Sequence, residues 1–299
     1  MAYFLSVPPL AALNAPGEAA NFLLRESFAT PLASFVSPRT RFIPRLAPAP
    51  ISATVLTKNS ARLLPDVLAA LQWCDEVVVL DTGSTDDTLT IAAAFPNSSV
   101  HQLTGPFPGF GVARQRLVSL ARNDWILSVD SDEIVSPELA GEIAALRLDP
   151  HCVYVVPFEN FYDGKHITTC GWSPDRHERL FNRTVTNFCR SKVHERVQTR
   201  QLSVVRLRHP VRHYSYQSAG DFLRKMSAYS QLFATQHAGR KRAGPVKAAV
   251  RSAWAFFKSF ILERGFLQGS DGLVISAYKS QTVFWKYLML HEANRRSVP

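Results

Sequence analysis

The clearest order in the chain is the pattern of apolar residues between positions 51 and 157. Short, nearly continuous apolar runs at 51–57 and 76–80 are typical of interior strands that are covered on both faces. The segments between such runs carry apolar residues at helical spacing. Further strands are predicted at 98–103, 124–129 and 152–157, and helices at 59–73, 85–95, 112–122 and 138–146. Strands and helices that alternate in this way predict a doubly wound α/β domain with a mostly parallel sheet.

The pattern changes on both sides of this region. Residues 1–50 are rich in Ala, Pro and Ser and show weak periodicity, so we expect a poorly ordered N-terminal extension. After Pro157 the sequence predicts short antiparallel strands at 178–181 and 192–197, and from Ser218 it becomes helical. We therefore divide the rest of the chain into a domain at 51–217, with halves 51–157 and 158–217, and a helical region at 218–299.

Polar residues follow the predicted strands at the point where each strand ends. Asp130, Asp132 and Glu133 come directly after the fourth run, and polar residues follow the first two runs at 57–59 and 81–84. Ligands of a doubly wound sheet bind beyond the carboxyl ends of its strands, so we expect these segments to form one site. Asp130 and Asp132 suit Mg²⁺ or Mn²⁺, which take oxygen ligands and bridge to phosphate. The alternative is a solvated acidic turn that caps the next helix.

The same strand ends offer what a sugar nucleotide needs. Asp81 can accept a hydrogen bond from a base N–H, and Gly83 allows a tight turn close to a ligand. Arg114, on the predicted third helix, could reach a phosphate group, and the alternative is an ordinary surface cation. The candidate metal ligands are Asp130 and Asp132, and the candidate nucleotide-binding residues are Thr57, Asn59, Asp81, Gly83, Ser84, Arg114 and Asp130.

The composition limits the class of protein without deciding it. The 299 residues are 46% hydrophobic and 19% charged, as in folded proteins. The net charge of +10 is uneven, because the chain from Arg206 onward has sixteen Lys/Arg against four Asp/Glu, whereas residues 1–205 carry a net charge of −2. This basic C-terminal third predicts an anionic partner. The four cysteines form no C-x-x-C pair and no apolar run could span a bilayer, so we expect reduced thiols and a cytoplasmic location.

Three segments resemble the nucleotide-binding half of family 2 glycosyltransferases with the GT-A fold. They are 51–59 (ISATVLTKN), 74–91 (CDEVVVLDTGSTDDTLTI) and 125–133 (WILSVDSDE). The similarity to bacterial lipopolysaccharide-core β-1,4-glucosyltransferases extends to 179–183 (RLFNR), 193–195 (VHE), 214–216 (YSY) and 266–269 (FLQG). The resemblance implies a GT-A-type catalytic domain, with a nucleotide-binding half at 51–157 and an acceptor-side half at 158–217. It also implies inverting transfer of a hexose, expected to be glucose, from a UDP-sugar to a hydroxyl group of a lipid-linked saccharide.

An inverting transfer needs a base on the acceptor side, opposite the leaving UDP. The acids of the first half are assigned to nucleotide and metal, so we look for the base in the second half. We favour Glu195, followed by Glu178 and Asp175. The alternative for Glu195 is an ordinary ion pair with a neighbouring Arg. Because related enzymes share the N-terminal half, the alternative acceptors are a capsular or exopolysaccharide repeat and a peptide.

The basic C-terminal region carries a helical stripe of apolar residues. The stripe consists of Val246, Val250, Trp254, Phe257 and Ile261, and Lys247, Arg251 and Lys258 lie on other faces. One interpretation is an interfacial helix that binds anionic lipid at the inner face of the cytoplasmic membrane. The other is that the stripe packs on the catalytic domain. A nucleic-acid partner, the non-enzyme alternative, is not expected, because the acidic strand ends would repel a phosphate backbone.

Overall fold

The computed structural model describes residues 49–190 and 195–296, all of which fall in one compact unit, Leu46–Pro299. The predicted N-terminal extension up to residue 48 and the first residues of the predicted strand 192–197 lie outside the described residues. Val197 itself forms only an isolated bridge with Phe188. The predicted division at residues 157 and 217 stays a prediction.

Four parallel strands form the first half of the sheet. They are β1 (Ile51–Thr57), β2 (Glu76–Asp81), β3 (Ser98–Gln102) and β4 (Trp125–Asp130), in the order β3-β2-β1-β4. The helices α1 (Leu64–Ala69), α2 (Thr88–Ala93) and α3 (Phe110–Leu120) connect them. Side chains of α1 and α2 pack in the apolar core on one face of the sheet, and Leu117 of α3 packs in the core on the other. Helices on both faces explain why β1 and β2 are buried at every position.

The second half continues the same sheet. It contains β5 (Glu133–Val135), β6 (Cys152–Tyr162), β7 (Lys165–His166), β8 (Asp175–Asn182), β9 (Ser203–Arg206) and β10 (Val211–Tyr216), with α4 (Pro137–Ala145) between β5 and β6. Strand β8 is antiparallel to both β4 and β6, and β10 lies between β6 and β5. The path is β3-β2-β1-β4-β8-β6-β10-β5, with β7 and β9 paired to β6. The predicted α/β class, with a mostly parallel sheet and a smaller antiparallel portion, is confirmed.

Helices form the C-terminal region, as predicted. They are α5 (Ala219–His237), α6 (Pro245–Phe257) and α7 (Gly269–Arg296), and a π-helical turn (Lys258–Leu262) and a 3₁₀ turn (Gly265–Gln268) join the last two. Helix α5 begins with a capping box, in which the Asp221 carboxylate accepts the backbone N–H of Ser218 at 3.0 Å. No helix in the described part of the chain is long and apolar enough to cross a membrane.

Helix α6 packs on α7 through its small side chains. Ala248 and Ser259 are buried, and the Ser252 hydroxyl donates to the Ser280 carbonyl of α7 at 3.0 Å. The large residues of the predicted stripe point outward instead and are 43–76% exposed: Val246, Val250, Trp254, Phe257 and Ile261. The interpretation that this stripe packs on the catalytic domain therefore does not hold for these residues.

Candidate active site

A large cavity lies beyond the carboxyl ends of β1 and β4. Its volume is about 1520 Å³, and its walls come from these strand ends, the loop at 107–110, strands β8 and β10, and the start of α5. A pocket for one drug-sized ligand has roughly 300–1,000 Å³. The cavity therefore has room for two substrates side by side.

Hydrogen bonds tie together the strand-end segments that the sequence singles out. The backbone N–H of Asn59, after β1, donates to the Ser84 hydroxyl after β2 at 2.8 Å. The hydroxyl groups of Ser60 and Ser131 lie 2.7 Å apart and connect the end of β1 to the acidic segment after β4. The three predicted segments thus meet at one edge of the sheet.

Asp81 is engaged in the turn that follows β2. Its carboxylate accepts the Thr57 hydroxyl at 3.3 Å, the N–H groups of Gly83 and Ser84 at 3.0 and 2.9 Å, and the Ser84 hydroxyl. Burial acts to raise the pKa of Asp81, but these hydrogen bonds outweigh it and hold the pKa below its ordinary value. Gly83 has φ of 104°, a conformation that favours glycine. Thr57 and Asn59 line the cavity, and Asp81, Gly83 and Ser84 are not among its lining residues. The nucleotide-binding role of all five residues stays a prediction.

Arg114 joins two of the predicted functional carboxylates. It is 5% exposed, and it donates from Nη2 to Asp130 at 2.6 Å, from Nε to Glu195 at 2.8 Å and from Nη1 to the Ser128 hydroxyl at 3.2 Å. Burial acts to lower the pKa of Arg114, but the charges of Asp130 and Glu195 outweigh it and raise the pKa above its ordinary value. The surface-cation alternative for Arg114 therefore does not hold, and the ion pair considered for Glu195 is present.

Arg179, on β8, binds the other oxygen of Asp130. Its Nη2 lies 3.2 Å from that oxygen and also donates to Glu133, which is 1% exposed and accepts the Asp130 N–H at 2.9 Å. Burial raises the pKa of Glu133 against the opposing charge of Arg179. Burial acts on Asp130 in the same direction, but Arg114 and Arg179 hold the pKa of Asp130 well below its ordinary value. Both carboxylate oxygens of Asp130 therefore face guanidinium groups.

Asp132 lies beside a histidine rather than an arginine. Strand β10 pairs with β5 so that His213 is opposite Glu133, and this register brings the His213 Nε2 to 3.6 Å from the Asp132 carboxylate. The other ring nitrogen, Nδ1, is 2.8 Å from the side-chain oxygen of Asn160. Burial acts to lower the pKa of His213, but the neighbouring Asp132 carboxylate outweighs it and raises the pKa above the ordinary value.

The chemistry of Asp132 and His213 fits a divalent cation. Both side chains line the cavity. Mg²⁺ is commonly held by one or two carboxylates together with substrate phosphates, which fits Asp132, and imidazole nitrogen is a ligand for transition-metal ions. Across residues 49–190 and 195–296, no group of three or more His, Cys, Asp or Glu side chains could hold a metal ion. An ion at Asp132 and His213 would therefore depend on oxygen atoms of the ligand.

Strand β8 decides which acceptor-side candidates reach the cavity. His177 and Arg179 line the cavity, whereas Glu178, which lies beside an irregularity in the pairing of β8 with β6, is not among the lining residues. Asp175 lies 3.0 Å from His177 Nε2 and accepts the Asn160 amide at 3.1 Å. Burial acts to raise the pKa of Asp175, but these hydrogen bonds outweigh it and lower the pKa to about 2. Of the three candidate bases, Glu195 lines the cavity. Asp175 is not among the lining residues, but it contacts His177, which is.

Sequence reasoning missed the polar side chains that the second half of the chain contributes. They are His177, Arg179, His213, Arg224 and Lys225. Lys225, on α5, donates to the Ser215 carbonyl at 2.9 Å and lies 4.4 Å from the centre of the Tyr216 ring. The segments 179–183 and 214–216, which carry part of the family resemblance, contained a signal for Arg179 and for the strand that holds His213.

The sequence matches the family described as glycosyl transferase family 2 over residues 52–204, just over half of the chain. The chain belongs to glycosyl transferase family 2. The predicted enzyme class, glycosyltransferase, is thereby confirmed. An uncharacterized glycosyltransferase of Rickettsia prowazekii is 27% identical to this family 2 member, over 83% of this chain and 88% of that protein.

Two further similarities are weaker. The lipopolysaccharide core biosynthesis glycosyltransferase LpsC of Rhizobium meliloti is 27% identical over 30% of this chain and 33% of its own length. The crystal structure of S. aureus TarS 1–349 in complex with UDP is 19% identical, covers 83% of this chain and 92% of that chain, and has a TM-score of 0.40. A structural similarity with so low a TM-score says nothing about which ligand this chain binds.

Proposed function

We propose that this family 2 glycosyltransferase moves a hexose, with glucose the first candidate, from a UDP-sugar to a hydroxyl group of the lipopolysaccharide inner core, with inversion. The observation that carries the proposal is the charge of the cavity. The acidic strand ends and the cations Lys58, Arg62 and Lys225 line one volume, which admits donor and acceptor together. A nucleoside diphosphate sugar with a divalent cation satisfies both signs of charge.

The donor would lie along the strand ends. Thr57 and Asn59 would contact the nucleoside, as the sequence predicts. Asp132 and His213 would hold Mg²⁺ or Mn²⁺, which stabilises the negative charge on the departing diphosphate. Asp130 remains a candidate for the nucleotide, but direct metal binding would require it to release Arg114 or Arg179.

The acceptor would lie between the donor and strand β8. Glu195 is the proposed base, because its side chain reaches the cavity and Arg114 fixes its orientation at 2.8 Å. His177, oriented by Asp175, is the second candidate, since it is half-exposed in the same cavity and an imidazole can accept a proton near neutral pH. Glu178 does not line the cavity, so it would have to move into the cavity to act as the base.

The proposed acceptor rests on the family resemblance, with support from the partial match to LpsC. A lipid-linked acceptor fits a cytoplasmic enzyme that works at the inner face of the membrane. Acceptor swapping tests this choice. The rate of UDP release should rise with lipopolysaccharide inner-core acceptors, and not with a capsular repeat or a peptide.

The donor site is tested by titrating UDP-sugars with and without Mn²⁺. We expect Mn²⁺ to tighten UDP-glucose binding to the parent protein and to have little effect on Asp132→Asn. Asp124→Asn is the matched control, because Asp124 is a partly exposed carboxylate that pairs with Arg183 elsewhere on the surface. Equal metal-dependent binding by Asp132→Asn and the parent would exclude Asp132 as a ligand.

The proposed base is tested by comparing Glu195→Gln with His177→Gln. Loss of a general base costs about 10²- to 10⁴-fold in kcat, so Glu195→Gln should lose this much while UDP-glucose affinity stays close to that of the parent. A larger loss of kcat in His177→Gln would assign the base to the imidazole instead.

A further inference from the structure

Helix α6 reverses the usual arrangement of a surface helix. Its buried side carries the small residue Ala248, and Ser259 in the π-helical turn that follows is also buried, whereas its outward side carries the stripe of large residues that begins at Val246 and includes Trp254. In an ordinary amphipathic helix the large apolar residues face the core. The five large apolar residues of the stripe instead form an exposed apolar patch, and large exposed apolar patches mark interaction sites.

The exposed apolar surface extends beyond α6. Leu262, Phe266 and Leu267, which follow in the chain, are 49–65% exposed. The rings of Phe260 and Phe266 lie 6.4 Å apart, which connects the end of the stripe to the 3₁₀ turn. The patch thus runs from the start of α6 to the turn before α7.

Basic side chains lie beside this stripe along its length. Lys247, Arg251 and Lys258 each follow a stripe residue directly, which places them about 100° around the helix from it. Lys247 and Arg251 both lie over the Tyr287 ring of α7, at 5.7 and 5.1 Å, so they border the same side of the stripe. Residues 239–262 contain six Lys/Arg and no Asp/Glu. Lys258 forms an ion pair with the next residue in the chain beyond this range, Glu263, at 3.4 Å, so the positive charge beside the stripe comes mainly from Lys247 and Arg251.

We propose that the exposed face of α6, together with the following turn, docks on an anionic lipid surface. Aromatic and aliphatic side chains bordered by cations are the chemistry that enters the boundary between headgroups and acyl chains. A second copy of the chain fits this face less well, because two such faces would bring their cations together without compensating charge. The docking surface is distinct from the cavity and requires neither a particular donor nor a particular acceptor.

The proposal is tested by sedimentation of the full chain with vesicles of phosphatidylcholine, with and without phosphatidylglycerol. We expect binding to the anionic vesicles that weakens with salt, and much weaker binding to the neutral ones. The double variant Trp254→Ser/Phe257→Ser should lower the partition coefficient by about 100-fold or more, because two aromatic side chains no longer enter the interface. Val204→Ser, an exposed apolar residue on β9, is the matched control and should bind as the parent does.

Charge is tested separately. Lys247→Gln/Arg251→Gln should lower binding to anionic vesicles by about 25-fold, and Arg200→Gln/Arg206→Gln, which removes the same charge from exposed sites elsewhere, should have much less effect. Urea midpoints of all variants establish that they are folded. Trp fluorescence gives a second measurement, since the blue shift on adding vesicles should be lost in Trp254→Phe.

Absence of binding by the full chain to anionic vesicles would overturn the proposal. Binding that Trp254→Ser/Phe257→Ser leaves unchanged would also overturn it. A dimer in analytical ultracentrifugation that this double variant abolishes, without vesicle binding, would instead assign the face to a second copy. Because these measurements need no sugar donor, their outcome is independent of the proposed transfer reaction.

Discussion

Arg114→Met removes the cation that joins Asp130 to Glu195. Methionine keeps much of the length and apolar contact of the side chain but none of the charge. Asp130 keeps Arg179 at 3.2 Å, whereas Glu195 loses the cation that lies 2.8 Å from it. Removal of one partner from a buried ion pair costs about 3–5 kcal/mol. Because the side chains of Glu195 and Asp130 are 13% and 28% exposed, water can partly replace the guanidinium, and we expect about 2–4 kcal/mol.

Urea unfolding at neutral pH measures this loss in the free energy of unfolding. Arg122→Met is the matched control, since Arg122 also pairs with a carboxylate, Glu76, at 3.0 Å, but its side chain is 74% exposed. An exposed pair contributes at most about 1 kcal/mol, so the control should lose much less. A double-mutant cycle with Glu195→Gln should give a coupling energy of about 1–3 kcal/mol between Arg114 and Glu195.

Two results would refute this account. Arg114→Met could cost no more than Arg122→Met, which would mean that burial of the guanidinium does not strengthen its pairs. The cycle with Glu195→Gln could also give no coupling, which would mean that the 2.8 Å contact carries no net energy. In either case Arg114 could not be the residue that fixes the orientation of Glu195.

Further predictions concern packing and pH. Gly272→Ala should lower the free energy of unfolding by about 3 kcal/mol or more, because the new Cβ would lie 1.8 Å from the backbone oxygen of Gly265. In Gly141→Ala, on α4, the new Cβ meets no atom within 4 Å, so this variant should be more stable than the parent by about 0.5–1 kcal/mol. Urea unfolding midpoints measure both changes. Asp175→Asn should have a free energy of unfolding about 1 kcal/mol below that of the parent at pH 7. Since the pKa of Asp175 is lowered to about 2 by folding, its contribution is present above pH ~4 and disappears between pH ~4 and ~2, so the difference from the parent should shrink over that range. A difference that stays constant down to pH ~2 would contradict this assignment.

The parallel half of the fold could be predicted because its signal is local. The strands β1, β2 and β4 are buried on both faces, and that burial is visible as continuous apolar runs. The polar residues after these strands could be assigned to one site because parallel strands end at the same edge of a sheet. No long-range contact had to be known for this step.

The acceptor side could not be predicted in the same way, because it depends on pairing between distant segments. Arg114 and Glu195 are 81 residues apart. The second half reaches the acidic strand end because β8 pairs antiparallel with β4 and β6, and β10 then pairs with β6. His213 reaches Asp132 because β10 pairs with β5 in one register, and a shift by one residue would turn the ring to the other face. Periodicity alone also left open which side of α6 faces outward.

The acidic wall of the cavity carries more negative than positive charge. Among the described residues, the four acids Asp130, Asp132, Glu133 and Glu195 share two buried guanidinium groups, those of Arg114 and Arg179. This wall therefore carries an excess of about two negative charges when all four acids are ionised and His213 is neutral. One divalent cation would neutralise that excess, and Asp132 is the acid that the two arginines leave free for it. The diphosphate of the proposed donor would then be balanced by Lys58, Arg62 and Lys225, which also line the cavity, since Arg224 is already paired with Asp221. A nucleoside monophosphate sugar carries one negative charge where the diphosphate carries two, so it would compensate one fewer of these cations. It should therefore bind more weakly than the matching diphosphate, and the difference should diminish as salt is added.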